Sequence, residues 1–128
     1  MRNLVELITS TDPAVRDLSL EAAGAGATLS DWLEQAVQLD AFRRRCPNLY
    51  ERVRALFFLY SIHRFHLPQA DGLKASGFVP FEGYEHLLAR RYEEAVESFL
   101  RAQAEQGPSD TLASALATAY HGLGFQTL

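Results

Sequence analysis

His63 and His66 stand three residues apart in the stretch LYERVRALFFLYSIHRFHL, so on a helix they share one face. Two imidazoles at this spacing are the nearest the chain comes to a metal pair. Zinc takes three or four ligands, and no Cys-x-x-Cys, HExxH or Asp-rich loop supplies the remainder, with His86 and His121 distant in sequence. Structural or surface histidines are therefore expected, with no metal and no cofactor. The second chemically capable group is cationic: Arg43, Arg44, Arg45, Arg52, Arg54 and Arg64. Guanidinium forks bind phosphate or carboxylate in a bidentate manner, which makes these six the candidate contacts for an anionic ligand.

Charge distribution weighs against a nucleic-acid partner. Segment 41–66 holds six Arg against Glu51 alone, whereas residues 1–40 hold seven acids against two Arg and residues 67–128 eight acids against four bases. The net charge of −4 thus hides a basic centre between acidic flanks. Nucleic-acid binders present positive charge as their dominant field, so internal ion pairing is the expected use of these arginines. Cys46 sits before Pro47 among arginines, which can lower a thiol pKa, but no base stands in its neighbourhood. Gly-Ala-Gly-Ala at 24–27 lacks the spacing and lysine of a phosphate loop and reads as a connector. No nucleophile elbow or kinase motif frames the serines and acids. No catalytic residue is assigned, and the chain is read as non-enzymatic.

The elements that must carry these residues are helical. Asn, Ser and Thr before apolar runs, and Gly or Pro after them, mark segments at 2–9, 12–24, 28–45, 49–67, 81–91, 92–106 and 110–123. Thr28-x-x-Asp31 resembles a capping box, Ser109 or Asp110 can cap the last helix, and Gly124 is a suitable stop. The expected fold is all-α, six or seven helices in one domain of 128 residues, with 1–67 as a helical subdomain and 79–128 as a second group of helices. In the 49–67 helix, Leu49, Val53, Leu56 and Tyr60 form one stripe and Phe58, Ile62 and Phe65 another, with Phe57 and Leu59 between. A helix apolar on nearly all sides is expected to be a buried hub, enclosed either by five neighbouring helices or by another chain over one face. No apolar run approaches the roughly 20 residues of a membrane span. The start, MRNLVELITSTD, lacks a signal-peptide core, and Cys46 has no partner in the chain; these features suit a reducing cytoplasm.

Within 92–124, Ala95 and Phe99 form an A-x3-F pair and Pro108 supplies a break. Ala113, Leu116, Ala117 and Tyr120 then fall where W-x2-L-G-x2-Y stands in a tetratricopeptide repeat. The region resembles that family, with an interval fitting repeats of about 34 residues. Gly83 and His86 occupy the small and Tyr positions of a preceding first helix, and Tyr92 opens its partner. Ala113 and Ala117 replace the bulky Trp and the Gly, and the match fades before residue 79. The resemblance implies helix pairs that hold a protein segment on a concave side. Carried over, that side places Tyr84, Leu87 and Leu88 on one helix and Ser114, Thr118 and His121 on the next. Tyr84, Ser114, Thr118 and His121 are the candidate partner contacts, while Leu87 and Leu88 are expected to pack inward.

If 110–123 opens a helix pair, its partner lies beyond Leu128 and the face bearing Leu116, Tyr120 and Leu123 is uncovered. Repeat arrays need a polar terminal cap. The expectation is therefore the N-terminal module of a longer protein, or a homo-oligomer joined through that face. The expected function is a non-catalytic helical protein-interaction or oligomerisation domain. The alternative is an accessory N-terminal domain of a larger enzyme, with the basic 43–64 segment contacting an anion.

Overall fold

A computed structural model describes all residues from Met1 to Leu128. Eight α-helices form: α1 (Leu4–Thr9), α2 (Pro13–Arg16), α3 (Leu20–Ala23), α4 (Leu29–Arg45), α5 (Leu49–Ser61), α6 (Phe81–Leu88), α7 (Tyr92–Gln106) and α8 (Asp110–Thr127). Between α5 and α6 the chain passes through a π turn (Ile62–His66), a 3₁₀ turn (Leu67–Gln69) and an irregular connection to Pro80. The all-α class is as expected.

Local chemistry sets most helix starts. Asn3, Asp12, Ser19, Thr28, Asn48 and Ser109 each accept a backbone N–H of the helix they precede. Such a cap contributes about 1 kcal/mol. At Thr28 the bond is reciprocal: the Asp31 N–H donates to Thr28 Oγ1 at 3.2 Å, and the Thr28 N–H donates to Asp31 Oδ2 at 2.9 Å. The 12–24 segment differs from expectation. It divides into α2 and α3 because the Ser19 hydroxyl caps Ala22 and opens a new turn.

The packing order is α4 on α5, α5 on α8, α8 on α7 and α7 on α6, with α1 lying over α4 and α5. The core joins Leu4, Leu7 and Ile8 of α1 to Leu39, Leu56, Leu59, Ile62, Phe99, Leu112, Leu116 and Tyr120. Two close approaches set the spacing in the C-terminal half. A Cβ on Gly83 would lie 2.6 Å from the Phe99 ring, and one on Gly122 would lie 2.4 Å from the Tyr92 ring.

Three expectations are corrected. Leu116, Tyr120 and Leu123 are buried within the chain and face no solvent, because α5 and α7 both pack on α8. The uncovered flank does not exist, and the oligomer face built on it is withdrawn. Gly124 does not stop α8, which runs three residues further; the glycine lets Phe57 of α5 approach, its nearest ring atom 3.2 Å from where a Cβ would be. Finally, α5 is not enclosed on every side. Its buried face is Ala55, Leu56 and Leu59, continued by Ile62 and His63, whereas Leu49, Tyr50 and, past the end of the helix, Phe65 are exposed, since α4, α8 and α1 cover mainly the other face.

Candidate functional site

Tyr84, Ser114 and Thr118, three of the four expected partner contacts, line one hollow of about 580 Å³ between α6 and α8. Phe78, Val79, Phe81 and Leu87 complete its apolar lining and Thr111 adds a hydroxyl. His121 is not there. It lies one turn further along α8, its ring centroid 4.8 Å from Tyr60 and 4.9 Å from Phe125. Leu87 packs partly against the core, as expected, but Leu88 is exposed.

The side chains that shape this hollow most, Phe78 and Phe81, are not among the expected contacts. Phe78 and Phe81 are 71% and 70% exposed. Phe78 is held outward by main-chain bonds: its N–H donates to Gln106 Oε1 at 2.8 Å, and Gln106 Nε2 donates to its carbonyl at 2.8 Å. The Asp110 N–H donates to the Lys74 carbonyl at 2.8 Å, and Lys74 Nζ donates to the Gln106 carbonyl at 2.6 Å. The 70–80 connection is thus strapped to the α7–α8 corner. Phe81, Tyr84 and Leu88, at i, i+3 and i+7, share one face of α6, and all three are exposed. Exposed Glu82 and Glu85 flank it on α6.

The six arginines do not converge on one site. The buried Arg43 guanidinium donates from Nε to Asp40 Oδ1 at 2.9 Å, and from Nη1 and Nη2 to Glu93 at 2.8 and 2.6 Å. Arg44 reaches Asp40 at 3.0 Å and Glu93 at 2.9 Å. Arg45 lies over Phe42, Arg64 over Phe65, and Arg54 over Phe58 while donating to the Leu18 carbonyl at 3.2 Å. Arg52 shares a small cleft with Arg43, Arg44 and Glu93. Burial opposes the ionised form of Asp40, but the Arg43 charge, with hydrogen bonds from Arg44 and Tyr120, prevails and holds the carboxyl below its usual range. The Arg43 hydrogen bond likewise lowers Glu93. Internal pairing is therefore the use made of Arg43 and Arg44.

The two histidines face different neighbours. His66 stacks on Trp32 with ring centroids 4.3 Å apart. His63, 1% exposed, lies 5.3 Å from the Tyr120 ring, and its Nδ1 is 2.7 Å from the Leu59 carbonyl. A carbonyl only accepts, so Nδ1 carries the proton and Nε2 presents a lone pair. Burial pushes the imidazole pKa down to about 4, so the ring is neutral at neutral pH. Nε2 is buried without a protein partner. His63 lines a cleft of about 570 Å³ between α4 and α7. No three His, Cys, Asp or Glu side chains lie close enough to share an ion. The geometry around His63 is that of a hydrogen-bond acceptor.

A third concavity runs along the exposed face of α5, past Leu49, Tyr50, Val53 and Phe57 to Leu128. No helix of the chain is long and apolar enough to cross a membrane. No family model, curated protein or solved structure matches the chain. The tetratricopeptide resemblance therefore stands on the matched residues alone.

Proposed function

We propose that this chain is a non-catalytic helical interaction domain that binds a short apolar segment of another protein in the α6–α8 hollow. The observation that carries the reading is the ordered outward presentation of Phe78 and Phe81 beside Tyr84 and Leu88. Apolar groups exposed as a contiguous patch mark contact surfaces more often than isolated ones do. Here the patch rings a concavity with three hydroxyl residues at its edge. Aromatic anchors in a pocket with a polar rim are the usual composition of binding hot spots. Glu82 and Glu85 favour a segment with a basic residue beside its apolar anchors. The helix pairs α6–α7 and α7–α8 are compatible with the tetratricopeptide-like pairing, which we retain as a proposal for 79–124. The alternative, an anion-binding accessory domain, is weaker because Asp40 and Glu93 already occupy Arg43 and Arg44.

Panning a random-peptide display library on the purified chain tests this reading. The expected outcome is a set of peptides with an apolar or aromatic anchor and a neighbouring Lys or Arg. Their affinity should fall at least tenfold on Phe81→Ser, a substitution on the surface that leaves the melting temperature unchanged. Enrichment of no peptide, or of peptides indifferent to Phe81→Ser, overturns it. Light scattering over a range of concentrations identifies a second copy as the occupant if the mass doubles in the wild type and not in the variant, and that outcome likewise overturns a heterologous segment.

A further inference from the structure

The cleft between α4 and α7 is separate from the α6–α8 hollow and has a different chemistry. Leu33, Ala36 and Val37 of α4 form one wall, and Leu100 and Ala104 of α7 the other. At one end the two helices are tied by Arg43 and Arg44 to Glu93. His63 and Tyr120 are among the lining residues, and both are buried. Two acceptors on residues that line the cleft lack a protein donor: His63 Nε2 and Gln103 Oε1, each buried. The charged groups nearby are already matched, since Asp40 receives Arg43, Arg44 and the Tyr120 hydroxyl at 2.8 Å.

A buried acceptor without a donor costs about 1–3 kcal/mol, and native structures keep few such atoms. His63 also lies in a π turn, an insertion occupying well under 1% of residues and found often at functional sites. The cavity volume lies within the range of small-molecule pockets, which pair mostly apolar walls with a few fixed polar groups.

We propose that the α4–α7 cleft binds a small neutral molecule with an apolar body and one hydroxyl or N–H group, which donates to His63 Nε2. The lone pair on Nε2 excludes a bare acceptor such as an ether or ketone from that position. The balanced Asp40–Arg43–Arg44–Glu93 cluster offers no uncompensated charge, so a carboxylate or ammonium at the buried end is disfavoured. The apolar body then replaces solvent against Leu33, Ala36 and Leu100, and Gln103 Oε1 is available to a second donor.

Calorimetry with 4-propylphenol and its methyl ether, in which a methyl group replaces the donor hydrogen, tests the assignment. The phenol is expected to bind at least tenfold more tightly than the ether, the equivalent of one hydrogen bond of about 1.4 kcal/mol. In the full chain labelled with ¹⁵N-histidine, the phenol alone should move the His63 Nε2 resonance. His63→Phe, which keeps the ring and removes the acceptor, should abolish the preference. Should that variant fail to fold, Ala104→Trp gives the second arm: Ala104 is exposed at the lip of the cleft, so the protein should stay folded while phenol binding is lost. Equal affinity for the two compounds, binding of neither, or phenol binding unchanged by Ala104→Trp overturns the proposal. None of these results depends on the peptide surface at Phe81.

Discussion

Lowering the pH tests the placement of His63 directly. In the unfolded chain an imidazole titrates near 6.5, whereas burial holds His63 down to about 4 in the fold. A depressed folded-state pKa means that the unfolded chain takes up the proton first. The contribution to stability is complete above about pH 6.5 and is lost as the pH falls toward 4. The difference corresponds to about 3 kcal/mol in all, of which about 2 kcal/mol is gone by pH 5. His66 is also lowered by burial, against the opposing charge of Glu21, so the wild-type curve alone does not isolate His63. His63→Gln removes one titration and leaves His66 in place. Urea unfolding at pH 7.5 and pH 5.0 should show the wild type losing about 2 kcal/mol more than His63→Gln between the two values. Asp40 and Glu93, both lowered, act in the same direction, but their contribution is lost only as the carboxylates protonate, largely below this window and in both proteins alike. Parallel losses in the two proteins, or an NMR titration midpoint for His63 near 6.5, would refute the buried, neutral placement.

Two further outcomes follow from the packing. Arg43→Met leaves the Asp40 carboxylate without its buried partner and should cost about 3 kcal/mol. Adding Asp40→Asn should recover part of that loss, whereas strictly additive urea stabilities would show that the two do not interact. Gly83→Ala forces a methyl into the Phe99 ring and the Ser98 hydroxyl, at 2.6 and 2.7 Å. Overpacking of about 1–3 kcal/mol should outweigh the gain of up to about 1 kcal/mol in helix propensity, so the melting temperature should drop by several degrees; a rise would show that α6 sits farther from α7.

What the sequence revealed and what it concealed divide by range. Helix starts were legible because a cap is a contract between residues three apart; Thr28 with Asp31 and Ser109 with Leu112 need no knowledge of the rest of the chain. The internal pairing of Arg43 and Arg44 followed from charge balance, although nothing local named Glu93, fifty positions away, as the partner. The flank of α8 was misread for the same reason. Periodicity at Leu116, Tyr120 and Leu123 shows that the face is buried, but not that its covers, α5 and α7, lie earlier in the chain. Of the expected partner contacts, Tyr84, Ser114 and Thr118 come together because they sit on facing helix stripes, while His121, on the same stripe of α8 but a turn further along, meets Tyr60 and Phe125 instead. The unpaired Nε2 of His63 had no signal at all, since a helical histidine reads alike whether or not a donor meets it.

The two-way grip of Gln106 on Phe78 has a consequence for how the molecule meets proteases. An irregular connection between helices is ordinarily the place where a chain is nicked, because an attacking enzyme must draw the backbone out as an extended strand. At Phe78 both backbone groups it would need are already committed to an amide on α7. Chymotrypsin, which favours aromatic residues, should therefore spare the bond after Phe78 despite its exposure, and Gln106→Ala should open it to cleavage.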